Sequence, residues 1–232
     1  MFLEISDIRK SFGTGDNRVE VLKGISFCVE KGEFCVLLGP SGSGKSTLMN
    51  IIGGIDSADS GSLTVGGERL EEMKEERLSL YRRKHLGYVF QMYNLIPNLT
   101  LRENIEVGAY LSSDPLDVNE LLELLGLEEH QRKLPAQLSG GQQQRTAIGR
   151  AIVKKPDILL CDEPTGALDY QTSRDILRLI ETVNRKYKST VLMVTHNDAI
   201  KDMADRVVKL RDGMIRKIYV NEQRIPAAEL EW

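Results

Sequence analysis

Phe34-Cys35-Val36-Leu37-Leu38-Gly39-Pro40-Ser41-Gly42-Ser43-Gly44-Lys45-Ser46-Thr47 decides how the rest of this 232-residue chain is read. Five apolar residues in an unbroken run suit a strand buried on both faces of a parallel sheet. The next nine satisfy GxxxxGK[ST], and a helix is expected over 45–52. Glycines at 39, 42 and 44 let backbone N–H groups turn inward around phosphates. The helix that follows presents the positive end of its dipole. Lys45 would neutralise terminal phosphate oxygens, and the Ser46 hydroxyl would ligate Mg²⁺. The candidate phosphate site is therefore Gly39, Pro40, Ser41, Gly42, Ser43, Gly44, Lys45, Ser46 and Thr47. The plain alternative, a glycine turn with an incidental lysine, does not need a strand before it and a helix after it.

A phosphate loop of this kind requires a carboxylate at the end of a second buried strand. Ile158-Leu159-Leu160-Cys161-Asp162-Glu163 supplies two acids directly after four apolar residues. Asp162 is expected to hold Mg²⁺ through water, and Glu163 to polarise an attacking water. Two ordinary loop acids are the alternative. The residues alone thus point to nucleotide binding with ATPase chemistry.

The flanking sequence fits an α/β architecture. Alternating residues over 2–5, 19–22 and 25–29, with turn residues between them, predict an antiparallel layer. Further strands are expected at 62–65 and 86–90. The middle turns helical, over 101–111, 117–125 and 140–153. Ser139 is placed to cap the last of these, with Gln142 in capping-box position. The leucines at 116, 121, 122, 124 and 125 read as the core of a small helical subdomain, 100–153. After 156 strands and helices alternate: strand 157–161, helix 171–186, strand 190–195, helix 198–203. Asp212-Gly213 then joins strands 207–210 and 214–220 in a hairpin. Parallel strands with crossover helices are the economical reading of that alternation. The run 71–84 reads as a solvated helical face. The whole, 1–232, reads as one domain with a tail at 221–232, in which Ile225-Pro226 and Trp232 carry no motif.

Composition narrows the class. Lys and Arg number 31 against 34 Asp and Glu, a net charge of -3, so no basic face for nucleic acid is announced. No stretch approaches the roughly 20 apolar residues of a membrane span, and the start lacks the basic region of a signal peptide. A cytoplasmic chain, held at a membrane only by a partner, is the expectation. Cys28, Cys35 and Cys161 show no metal-ligand spacing and read as reduced core thiols. His85, His130 and His196 form no paired ligand set, so no zinc site is expected.

Further motifs carry a resemblance. Gln91 precedes Leu138-Ser139-Gly140-Gly141-Gln142. The acidic pair follows, then Ala167-Leu168-Asp169 and Thr195-His196. In that order, over about residues 2–220, the chain resembles the nucleotide-binding domain of an ATP-binding-cassette (ABC) protein. The resemblance implies a P-loop cassette with a parallel-sheet core, an antiparallel β subdomain and a small α-helical subdomain, using ATP and Mg²⁺. It implies that Gln91 reaches both Mg²⁺ and the attacking water, and that His196 contacts the γ-phosphate beside Glu163. It implies that Phe12 stacks on adenine and that Asp169 belongs to a dimer-contacting loop. It also implies that Ser139, Gly140, Gly141 and Gln142 meet the γ-phosphate held by a second copy, in a head-to-tail homodimer formed on ATP binding.

Gly87-Tyr88-Val89-Phe90-Gln91, Tyr93-Asn94-Leu95-Ile96-Pro97, Glu103-Asn104, Leu138 to Arg145 and Pro164-Thr165-Gly166-Ala167-Leu168-Asp169 narrow this to a likeness with the MacB/LolD/FtsE-like group. The implied partner is an integral FtsX-like permease, with the cassette peripheral on the cytoplasmic face of the membrane. Export, lipoprotein extraction and mechanical signalling are the roles open to it. The competing classes are a soluble ABC ATPase of DNA repair or translation, for which 232 residues leave little room, and an importer cassette. Three departures stand out: a short segment between Asn104 and Leu121 without a basic cluster, Thr146 in place of an aliphatic residue, and Gly149 inside a helix. The last should cost up to about 1 kcal/mol relative to alanine.

Overall fold

The computed structural model describes residues 1–231; Trp232 lies outside the described residues. The strands are β1 (Leu3–Phe12), β2 (Val19–Val29), β3 (Phe34–Leu38), β4 (Ser60–Val65), β5 (Glu68–Arg69), β6 (Leu86–Val89), β7 (Ile158–Asp162), β8 (Thr190–Thr195), β9 (Arg206–Arg211) and β10 (Met214–Val220). The α-helices are α1 (Lys45–Ile52), α2 (Glu75–Lys84), α3 (Leu101–Ala109), α4 (Val118–Leu125), α5 (Gly140–Ile152) and α6 (Tyr170–Tyr187). The strands form two sheets, β2-β1-β4-β5 and β10-β9-β3-β8-β7-β6. The first is antiparallel; in the second only β10 runs against its neighbour.

The unbroken apolar runs have a simple origin. In a strand, successive side chains point to opposite faces. Cys35, Leu37, Leu160, Leu192 and Val194 pack with α1 and the antiparallel sheet, whereas Phe34, Val36, Leu159, Cys161, Val191 and Met193 pack with α5 and α6. Both faces are covered, so every position along β3 and β8, and β7 as far as Cys161, is buried. The three cysteines are free thiols, and burial pushes those of Cys35 and Cys161 well above the ordinary range.

The helical segment packs as the leucine pattern predicts. Leu121, Leu122 and Leu125 are buried, and Leu116 and Leu124 pack against the same core. Both unusual residues of α5 acquire a reason. Thr146 is fully buried and its hydroxyl donates to the Gln142 carbonyl at 2.7 Å, so it brings its own acceptor. Gly149 lies where a Cβ would stand 2.6 Å from Leu125 Cδ1 and 3.0 Å from Ile105 Cδ1.

Three elements differ from expectation. Residues 19–29 form one strand rather than two, because Gly24 (φ +87°) sits at a register shift opposite Ile8 and Arg9 and is absorbed as a bulge. The first strand runs on to Phe12, passing a second irregularity where Asp7 takes φ +48°. The segment Asp198–Met203 is a 3₁₀ helix, started by the Asn197 side chain accepting from the Ala199 N–H. The hairpin is as predicted: Asp212 and Gly213 both have positive φ, and Lys23 N–H donates to the Gly213 carbonyl, tying the turn to β2.

Candidate nucleotide site

The loop between β3 and α1 is wound on itself. Gly42 and Gly44 take φ of +76° and +98°, and a Cβ on Gly44 would meet Leu22 Cδ2 at 2.7 Å. Only glycine fits there. No side chain caps α1, so the first N–H groups of that helix keep their donors for a ligand. Lys45 Nζ, inside the loop, donates to the carbonyls of Gly39 (2.7 Å) and Pro40 (2.9 Å), and burial lowers its pKa. Gly39 and Ser43 form the back of the loop. A Cβ on Gly39 would be 2.2 Å from the Leu210 carbonyl, and Ser43 Oγ is buried without a partner.

The end of β7 delivers the two acids to opposite duties. Ser46 Oγ donates to Asp162 Oδ1 at 3.3 Å, and burial raises the Asp162 pKa. A hydroxyl and a carboxylate converging in this way are hard oxygen donors of the kind Mg²⁺ takes. At the next residue the chain turns left-handed: Glu163 has φ +47°, a conformation that stores of order 1–3 kcal/mol in a non-glycine residue. Its N–H still bonds the Val194 carbonyl at 3.0 Å, which fixes the turn against β8. Glu163 Oε1 pairs with His196 Nδ1 at 3.0 Å, while Oε2 is buried with no partner. An orphaned buried carboxylate oxygen beside a phosphate loop fits a water or ligand donor.

Most of these residues, though not Gly39, Ser43 or Asp162, line one cleft of ≈ 780 Å³. Its lining includes Phe12, Pro40, Ser41, Gly42, Gly44, Lys45, Ser46, Thr47, Gln91, Glu163 and His196. Phe12 stands at the rim, 45% exposed, with Lys10 Nζ 5.2 Å from its ring centroid. Gln91 enters from the turn after β6, and its Nε2 would lie 3.2 Å from a Cβ on Gly166.

Ser139, Gly140, Gly141 and Gln142 are not among the residues lining that cleft. They begin α5 with the capping box the sequence predicts: Ser139 Oγ accepts from Gln142 N–H, and Gln142 Oε1 accepts from Ser139 N–H at 2.9 Å. A Cβ on Gly141 would be 2.4 Å from Thr172 Cγ2, so α5 and α6 touch there. Asp169 caps α6, accepting from Thr172 N–H (3.0 Å) and Thr172 Oγ1 (2.6 Å). Thr172 thus joins Asp169 to Gly141. The Asp169-x-x-Thr172 spacing is a capping signal that sequence reading passed over. Gln144, fully buried, was missed too; its Nε2 donates to the Pro164 carbonyl at 2.8 Å and ties α5 to the turn after Glu163.

Residues 22–166 match the ABC transporter family. The chain is 42% identical over 233 residues to MG065 of Mycoplasma genitalium, covering 99% of this chain and 50% of that protein. It is 41% identical to the bacitracin export ATP-binding protein BceA of Halalkalibacterium halodurans, over 92% of this chain and 86% of BceA. It is 44% identical to the macrolide export ATP-binding/permease protein MacB of Escherichia coli, over 92% of this chain and 34% of MacB. The chain spans about half the length of MG065 and of its Mycoplasma pneumoniae homolog. Its fold is similar to a dimeric post-hydrolysis structure of the ATP-binding cassette MJ0796 bound to ADP and Pi. The TM-score is 0.87 at 34% identity, covering 94% of this chain and 98% of the other. A second dimeric MJ0796 structure gives 0.86 at 35%.

Proposed function

The chain belongs to the ABC transporter family, and from that premise we propose that it hydrolyses ATP in a head-to-tail homodimer and so drives a separate FtsX-like permease. One observation carries the reading. The cleft gathers Phe12, Lys45, Ser46, Gln91, Glu163 and His196, while Ser139–Gln142 stay outside it. A second copy, facing the first, would bring its α5 N-terminus to the open side of the cleft, where an anion would meet the helix dipole.

Lys45 leaves the carbonyls of Gly39 and Pro40 for the phosphate oxygens, and loop N–H groups take the remainder. Ser46 and Gln91, with Asp162 through water, would hold Mg²⁺, which would supply charge neutralisation at the phosphates. A water oxygen forms the new bond to the terminal phosphorus as the bond to the bridging oxygen breaks. The water's proton passes to Glu163, whose unpartnered Oε2 is free to orient it. His196 fixes the carboxylate through Oε1. Phe12 offers its exposed face to the adenine.

The permease is placed beside Gln91. A groove of ≈ 620 Å³ is walled by Tyr88, Phe90 and Leu111 and edged by Arg83 and Lys154. Its aromatic wall runs along β6 directly into the turn that carries Gln91, so pressure in the groove reaches the cleft. Among the described residues no helix is long and apolar enough to cross a membrane; the membrane part of the device is assigned to the permease, with the cassette on the cytoplasmic face. Reconstitution with an FtsX-like permease tests the partner: ATPase stimulated in proteoliposomes and lost on Phe90→Glu supports it, and an ATPase indifferent to the permease removes it.

A further inference from the structure

The turn carrying Gln91 is held in an uncommon backbone form. Tyr93 N–H donates to the Phe90 carbonyl at 3.2 Å, closing a turn around Gln91 and Met92. Asn94 N–H then donates to the Met92 carbonyl at 2.6 Å across Tyr93, which has φ +59°. A three-residue turn with positive φ at its centre is rare and strained, and for tyrosine it is an outlier. Asn94 follows at φ +49°. Neither residue is glycine, so the surroundings must impose this path.

Arg150, near the end of α5, does so. Its Nη2 donates to the Tyr93 carbonyl at 2.8 Å and its Nη1 to the Asn94 carbonyl at 2.5 Å. Both strained residues are gripped by one guanidinium. No carboxylate pairs with Arg150 among the described residues; its guanidinium borders the groove beside Tyr88 and Phe90 and spends both terminal donor groups on these two carbonyls. At the other end of α5 a Cβ on Gly140 would be 3.0 Å from the Tyr93 hydroxyl. Tyr93 is therefore in contact with α5 near both of its ends. Gly108 allows the arrangement, since a Cβ there would stand 2.3 Å from the Arg150 carbonyl.

We propose that Arg150 is a positioning residue that locks the Gln91 turn to the helix beginning at Ser139, so that Gln91 and Ser139–Gly141 move as one body when the dimer closes. The proposal rests on the assignment of Gln91 to the hydrolytic water and adds the residue that aims it. Arg150 touches neither ATP nor water in this scheme. Its loss should lower turnover and leave nucleotide binding alone.

The test is a double-mutant cycle on the full chain, reading kcat and KM for ATP hydrolysis together with ATP affinity by calorimetry. Arg150→Gln should lower kcat about tenfold with affinity within about twofold. Gln91→Ala should also lower kcat, and Arg150→Gln added to it should lower kcat no further, because both act through one amide. Asn94→Gly, which accepts left-handed backbone without strain, should return about threefold of the kcat lost in Arg150→Gln. Where Arg150→Gln does not fold, Arg150→Lys, with one donor group for two carbonyls, enters the same cycle with an expected loss of about threefold. Multiplicative losses in the double mutant, or affinity falling in step with kcat, would overturn the role of Arg150 while Gln91 stood. Normal kcat in Gln91→Ala would instead remove the assignment of Gln91, and this proposal with it.

Discussion

Two helices of this chain begin at a glycine-rich segment, and they solve the problem of their free N–H groups in opposite ways. Helix α1 starts at Gly44 with no side-chain cap and a lysine folded back onto the loop. Helix α5 starts at Ser139 with a closed capping box that satisfies two donors within the chain. The first end is incomplete alone and asks for an anion. The second is partly closed within its own chain, with the N–H groups of Ser139 and Gln142 satisfied and those of Gly140 and Gly141 left over, so it stays folded without an anion and can still meet one. A site divided between two molecules needs such an asymmetry: one half that holds the nucleotide, and one that stays folded until the nucleotide is brought to it.

The comparison can be broken most severely at the base. Glu163→Gln keeps shape but cannot accept a proton, so turnover should fall by about 10³-fold or more while ATP binding persists. Light scattering should then show ATP-dependent dimers accumulating; hydrolysis at the unmutated rate would remove Glu163 from its role. Lys45→Ala acts at the α1 end. Losing charge-assisted contacts to the phosphates should weaken ATP binding by about 10²-fold, read by calorimetry, whereas unchanged affinity would mean the loop is misassigned.

Two substitutions compare the helix ends as structure rather than chemistry. Gly44→Ala forces a Cβ into Leu22 at a positive φ and should destabilise the fold by about 2–3 kcal/mol in denaturant titration. Ser139→Ala removes one cap and should cost about 1 kcal/mol. A reversal of that order would mean that α5, not α1, is the strained end. The smallest effect concerns Gly149. Propensity alone predicts that Gly149→Ala stabilises α5, but the contact with Leu125 and Ile105 predicts a net loss of about 1 kcal/mol, read from the same titration.

What could be read in the sequence follows from the range of the forces. The phosphate loop, the Ser139 cap and the Asp212-Gly213 turn are local: φ > 0 or a donor a few residues away demands a particular residue type, and the spacing displays it. The buried strands were legible because two apolar cores leave no polar position. Contacts made across the chain left no such trace. Arg150 meets Asn94 across 56 residues and Gln144 meets Pro164 across 20, and neither pairing has a spacing of its own. Gly149 illustrates the consequence: a local rule assigns it a penalty, while the closeness of Leu125 and Ile105, on α4 and α3, is visible only once the helices are packed. Gly24 and Asp7 belong to the same group, since a bulge needs the partner strand before it can be recognised.

The central claim, that each nucleotide lies between two chains, is tested most directly by nucleotide retention in mixed dimers. In a Glu163→Gln background, one chain carries Lys45→Ala and the other Ser139→Arg. One interface site then has both lesions and the other has none. The account predicts that either variant alone retains no ATP through gel filtration, while the mixture retains one ATP per dimer. Full retention by the Ser139→Arg variant alone would contradict it and place the whole site within a single chain.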